Sequence, residues 1–195
     1  MANSVSRLLA TLGQESERCE ALLNYPLARD AILVVVHQSS TFADTLTLDE
    51  LRRVWDPHEP VTLWQHIRPS WPSTPFFLYG PTPGSGTFEV FTRALGLPTR
   101  GIRPDFNTGE DYQRLMQAMS DDPATLAIVG QAFFRSARSR LRVVPITGAS
   151  DRFTRTLRLY VSERTLARKE ARSFVEATRL WASEIAPALG LEALP

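Results

Sequence analysis

The run Ala31-Ile32-Leu33-Val34-Val35-Val36 constrains this chain most. Six apolar residues stand together, with neither the polar alternation of a half-exposed strand nor the 3.6-residue spacing of an amphipathic helix. A short run of this kind reads as a strand buried on both faces, the central strand of an α/β sheet. Such a sheet needs helices to cover it, and the rest of the sequence alternates accordingly. A helix is expected over residues 6–23, bent near Gly13. Thr47-Leu48-Asp49-Glu50 is a capping-box pattern that opens a second helix, LDELRRVW. A Pro- and Trp-rich connection leads to a strand, PFFLYG, and a helix follows Ser85. Another helix starts near Glu110. Strands are expected at LAIVG (to Gly130), LRVVPI and LRLYVSE. A tail helix runs from about Thr165 to Leu189, with Leu166, Phe174, Ala177 and Trp181 as inward candidates. Strands alternating with helices argue for α/β architecture, with mixed, largely parallel sheets layered with helices.

Composition narrows the function classes. The 195 residues carry a net charge of +1, so no strong positive field draws the chain to nucleic acid or an acidic membrane. Cys19 is the only cysteine, and the three histidines lack the spacing and companions of a zinc site. No metal and no cofactor is expected. No apolar run is long enough to span a membrane, and the opening MANSVSRLLATLGQ has no signal-peptide core. If Met1 is the true start, the expected location is the cytoplasm.

The chemistry concentrates in YGPTPGSGTFEVFTRALG, Tyr79 to Gly96. A helix N-terminus presents unpaired N–H groups and a partial positive charge, which suit an oxyanion. Gly86 lets the main chain come close, and Ser85 and Thr87 add hydroxyls. The same residues also make a plain helix cap, with Glu89 offsetting the dipole, and the motif alone leaves both readings open. The lysine of a Walker loop is absent, and Pro83 occupies the first glycine of a nucleophile elbow. A serine hydrolase built on Ser85 would also need a histidine base that no motif supplies.

Ordered motifs surround this turn. Leu46-Thr47, Glu50-Leu51, Val54-Trp55, Trp64, Ile67, Pro69, Trp71-Pro72, Ser85-Gly86-Thr87-Phe88 and Phe91 run in series, followed by Arg103, Asp105, Phe106, Glu110 and Asp111. Together they resemble the phosphate-binding (PstS-like) proteins of ABC transporters. Ser6-Arg7 and Cys19 match an upstream segment of that family, whereas Ile102, Gly109 and Tyr112 depart from its pattern.

The resemblance implies a type II periplasmic-binding fold of two lobes that close on the anion. It implies a partial first lobe over 1–41, a second lobe over 42–145 and a return to the first lobe over 146–195, with the first lobe incomplete. It makes Ser85, Gly86, Thr87, Arg103, Glu110, Ser6 and Arg7 the phosphate-binding set, the partner inorganic phosphate or a similar oxyanion, and a permease the protein partner. Full-length relatives are expected in the periplasm or cell envelope. The expected function is binding rather than catalysis. The alternative is a truncated, non-binding remnant with a structural or protein-interaction role.

Overall fold

The structure, a computed structural model, describes residues 21–58, 61–98, 101–109, 111–148 and 150–194. Ser6, Arg7, Cys19 and Glu110 lie outside the described residues, as does nearly all of the helix expected over 6–23. The last two residues of that expectation, Leu22 and Leu23, are strand.

The apolar run is the inner half of a longer strand, β1 (Leu22–His37). β4 (Thr125–Gly130) lies antiparallel to it, with Val35 opposite Ala127 and Val36 opposite Leu126. On the other side of β1, β5 (Leu141–Val143) is also antiparallel. β3 (Phe77–Tyr79) extends the sheet parallel to β4, giving the order β3-β4-β1-β5. A separate parallel pair joins β2 (Leu46–Thr47) to β6 (Ile146–Thr147). The sheet is therefore mixed, with β3 parallel to β4, and the separate β2–β6 pair is parallel as well.

Alternate residues of the central strands enter two different cores, as a strand with two covered faces requires. Val34, Val36, Leu126 and Ile128 point into one core, together with Trp55, Trp64, Trp71, Phe88 and Phe91. Val35, Ala127 and Val129 point into the other, against Leu115, Met116 and Met119. The helices that supply these cores are α1 (Leu48–Trp55), α2 (Trp64–Ile67), α3 (Gly86–Leu95), α4 (Tyr112–Asp121) and α5 (Gln131–Ala137). The Pro-rich connection makes edge contacts between rings: Trp64 and Trp71 have centroids 6.0 Å apart, and Phe42 lies 5.2 Å from Trp64. Trp55, Trp64 and Trp71 pack the core.

The capping box forms. Glu50 N–H donates to Thr47 Oγ1 at 3.1 Å, and Thr47 N–H donates to Glu50 Oε2 at 2.7 Å. Glu50 also accepts from Arg68 Nε at 2.5 Å and Nη2 at 2.9 Å, and the Arg68 guanidinium lies 4.9 Å from the Trp71 ring centre. The Arg68 hydrogen bonds hold the Glu50 carboxyl below the usual carboxylate range, outweighing the opposing effect of burial. A carboxyl depressed in the folded state stabilises above its unfolded pKa, and that stability is lost as the pH falls through the folded value. Glu50→Gln is expected to lower stability at neutral pH by about 1–2 kcal/mol and to flatten the acid limb. Urea unfolding at neutral and at acidic pH checks both effects.

Two compact units divide the chain. The larger is Ile32–Thr154, which contains both limits of the lobe expected over 42–145. The described residues of the other are 21–31 and 155–194. In this smaller unit the first half of β1 pairs with β7 (Thr154–Ser162) and, antiparallel, with β8 (Glu192–Ala193). Asp30 is buried and accepts from Arg155 Nε at 3.0 Å and Nη2 at 2.8 Å.

The tail forms α6 (Glu163–Leu166) and α7 (Lys169–Ile185). Its inward residues differ from those expected. Phe174 and Trp181 are 61% and 60% exposed, Ala177 is exposed, and Leu166 is half-buried. The face that packs is the small-residue one, with Val175 and Ala186 buried and Ala171 and Ala182 half-buried. Periodicity identifies apolar stripes on a helix, but it does not say which stripe meets another layer.

Candidate anion-binding site

Strand β3 delivers the chain to the Pro-Gly turn ahead of α3. Beside it runs the 101–109 segment, where Asn107 N–H donates to Leu78 O at 2.7 Å and Gly80 N–H donates to Asn107 O at 3.0 Å. Thr82 Oγ1 donates to Gly109 O at 3.2 Å, tying the turn to the same segment. Gly84 has φ 88°, the left-handed region that glycine enters without steric cost. Ser85 is the N-cap of α3, and its Oγ accepts from Phe88 N–H at 3.2 Å. Phe88 beneath it stacks on Phe106 with centroids 5.8 Å apart, and Phe106 meets Trp55 edge-on at 5.2 Å.

The cap engages Ser85 Oγ as an acceptor and leaves the helix head available. Among the described residues, no acceptor pairs with the N–H of Gly86 or of Thr87. The Ser85 hydroxyl hydrogen and the Thr87 hydroxyl are also uncommitted, and Gly86 is exposed. Four donors therefore gather at the positive end of a ten-residue helix. Glu89 in the first turn is the one carboxylate of α3 and opposes an anion there.

Arg103 occupies a different setting. Only 5% exposed, it donates through Nε and Nη2 to Asp105, both at 2.6 Å, and through Nη1 to Val54 O at 3.2 Å and Val61 O at 2.7 Å. Its own N–H donates to Trp55 O at 3.2 Å. Val54 and Trp55 end α1, whose last carbonyls have no intrahelical partner, so Arg103 closes that helix end and straps the 101–109 segment to it. The Arg103 hydrogen bonds hold the Asp105 carboxyl below its ordinary range. None of these bonds reaches Ser85, Gly86 or Thr87. Of the residues expected at the site, the structure thus gathers Ser85, Gly86 and Thr87 at one helix head and gives Arg103 a buried polar nest.

Asp111 is the N-cap of α4, accepting from Gln113 and Arg114 N–H at 3.1 Å each. Tyr79 donates to Asp122 at 2.9 Å, and burial, aided by that bond, pushes its pKa up to about 12, so it stays protonated. Thr82 and Asn107, which position the turn, carry no sequence signal of that role. Thr82 acts through its hydroxyl on Gly109 O and Asn107 through main-chain pairing, partners that only the folded register reveals.

No family model matches the chain. In sequence it is 33% identical over 123 residues to Protein SphX of Synechocystis sp., covering 62% of this chain and 37% of that one. It is 26% identical over 204 residues to Protein SphX of Synechococcus elongatus, covering 93% and 60%. The chain therefore spans less than two thirds of the length of these relatives. In structure it is similar to a possible phosphate binding protein from Planctomyces limnophilus, with a TM-score of 0.74 at 22% identity, covering 100% of this chain and 73% of the other. It is also similar to an ABC-type phosphate transport receptor from Vibrio cholerae, with a TM-score of 0.69 at 15% identity, covering 93% and 76%. The chain is thus related in sequence to SphX, and its fold is the type II periplasmic-binding fold of the PstS-like phosphate-binding proteins of ABC transporters.

Proposed function

We propose that the chain binds phosphate, or a similar tetrahedral oxyanion, at the head of α3, as a substrate-binding component or homologue of a phosphate ABC transport system. The observation that carries this reading is the pair of unengaged N–H groups of Gly86 and Thr87, flanked by two hydroxyls. Amide donors held in place by a helix lose no rotamer freedom on binding, and the dipole favours the negative charge. The single Nη2 N–H of Arg103 that its four side-chain bonds leave over is the charged donor assigned to it. Glu110, Ser6 and Arg7 complete the proposed set. Glu110 is the candidate acceptor for the proton of hydrogen phosphate, a proton that sulfate lacks. On this reading the protein partner is a permease of the same transport system.

Calorimetric titration with phosphate is expected to show saturable binding, weaker for sulfate. A folded sample giving no heat at millimolar phosphate would overturn the reading. Because Glu89 places a like charge in the same helical turn, Glu89→Gln is expected to tighten phosphate binding by about two- to fivefold at low salt, with less gain at high salt.

The exposed Phe174, Leu180 and Trp181 favour a second reading, a protein-interaction role. A dimer in light scattering that is indifferent to phosphate would support it over the first.

A further inference from the structure

A concavity in the larger unit lies away from the head of α3. Val90, Arg93 and Ala94 of α3 line it together with Arg152, from the 3-10 turn Ser150–Phe153, and Thr154. Its volume is about 340 Å³. At a helical rise of 1.5 Å per residue, Arg93 sits about 10 Å along the axis from Gly86. The two places do not share donors.

Three other arginines of the larger unit are engaged. Arg68 is engaged by Glu50, Arg103 by Asp105, and Arg142 by the carbonyls of Ser40 and Ala43. Arg93 and Arg152 are both exposed, and neither guanidinium has an ion-pair or hydrogen-bond partner among the described residues. The last turn of α3 favours a cation at Arg93, and Arg152 stands in the last turn of its own short 3-10 helix, yet both line one concavity. Two like charges on one concavity repel unless an anion lies between them.

We propose that this concavity binds a small organic acid through its carboxylate groups, one on each guanidinium, with its carbon skeleton against Val90 and Ala94. Arginine's planar fork pairs with a carboxylate bidentately. The volume falls at the lower end of small-molecule sites, about 300–1,000 Å³, so a bare inorganic ion leaves most of it to water. The apolar floor gives carbon, and not a bare ion, something to contact.

The test is an amide NMR titration of the full chain with succinate and with citrate, and with inorganic phosphate in parallel. Saturable shifts at Val90, Arg93, Ala94 and Thr154 are expected with the organic acids. Arg93→Ala and Arg152→Ala are each expected to weaken that binding about tenfold, the loss of one charge-assisted pair. Ser85→Ala leaves it unchanged, which separates this site from the proposed phosphate site: either can fail without the other. Both arginines are exposed and have no partner among the described residues, so the variants should keep the wild-type melting temperature. No shift at tens of millimolar acid overturns the proposal, as do shifts that survive the double variant. Phosphate binding here as tightly as succinate also overturns it, by making the concavity an inorganic-anion patch.

Discussion

Arg103→Met is expected to lower the unfolding free energy by about 3–4 kcal/mol, among the larger effects a single substitution can have. The methionine keeps much of the buried volume but removes the donors that serve Val54 O and Val61 O, and an acceptor buried without its partner costs about 1–3 kcal/mol. Asp105 contributes less to the loss, since its side chain is 59% exposed and can turn to water. Asp105→Asn should therefore cost only about 1 kcal/mol. The two variants together separate the roles: the carbonyls, more than the ion pair, make Arg103 necessary. Thermal melting by circular dichroism distinguishes them, and equal losses for the two would refute this division. The pH dependence has a definite sign. Asp105 is depressed in the folded state, so its stabilisation is present above the unfolded carboxylate pKa and fades as the pH falls through the folded one. Arg103→Met abolishes that part of the acid sensitivity.

Thr87→Val is expected to weaken phosphate binding by about tenfold or more, because a hydrogen bond to a charged group contributes roughly 1.5–3 kcal/mol and valine keeps the shape without the hydroxyl. Thr87 does not cap α3, so the substitution should leave the melting temperature close to wild type. Ser85→Ala is expected to weaken binding similarly, but it also removes the bond that Phe88 N–H makes to the cap and should cost about 1 kcal/mol of stability. Calorimetry on folded protein separates the two quantities. If Thr87→Val left the affinity unchanged, the hydroxyl would have no place in the site.

Much of this architecture is legible because local rules and long-range packing agree. The Ala31 to Val36 run announces a strand covered on both faces, and its residues do enter two cores in alternation. The Thr47 and Glu50 pair forms its capping box, and Ser85 caps the helix it precedes. What escaped the sequence depends on partners distant along the chain. Nothing near Arg103 indicates that its guanidinium folds onto carbonyls of residues 54 and 61, since those bonds span more than forty positions. The tail helix failed for a related reason: Phe174 and Trp181 make the more conspicuous stripe, yet the small residues around Val175 are the ones that pack. Antiparallel pairing of β1 with β4 and β5 was equally hidden, because strand direction follows from connections that an apolar run does not encode.

The central claim is that the N–H groups of Gly86 and Thr87 receive the anion, and a phosphate titration followed through their own amide resonances tests it most directly. The account predicts saturable shifts at both amides, larger than elsewhere in the chain and strongly reduced in Thr87→Val. Unmoved Gly86 and Thr87 resonances while phosphate binds would contradict it.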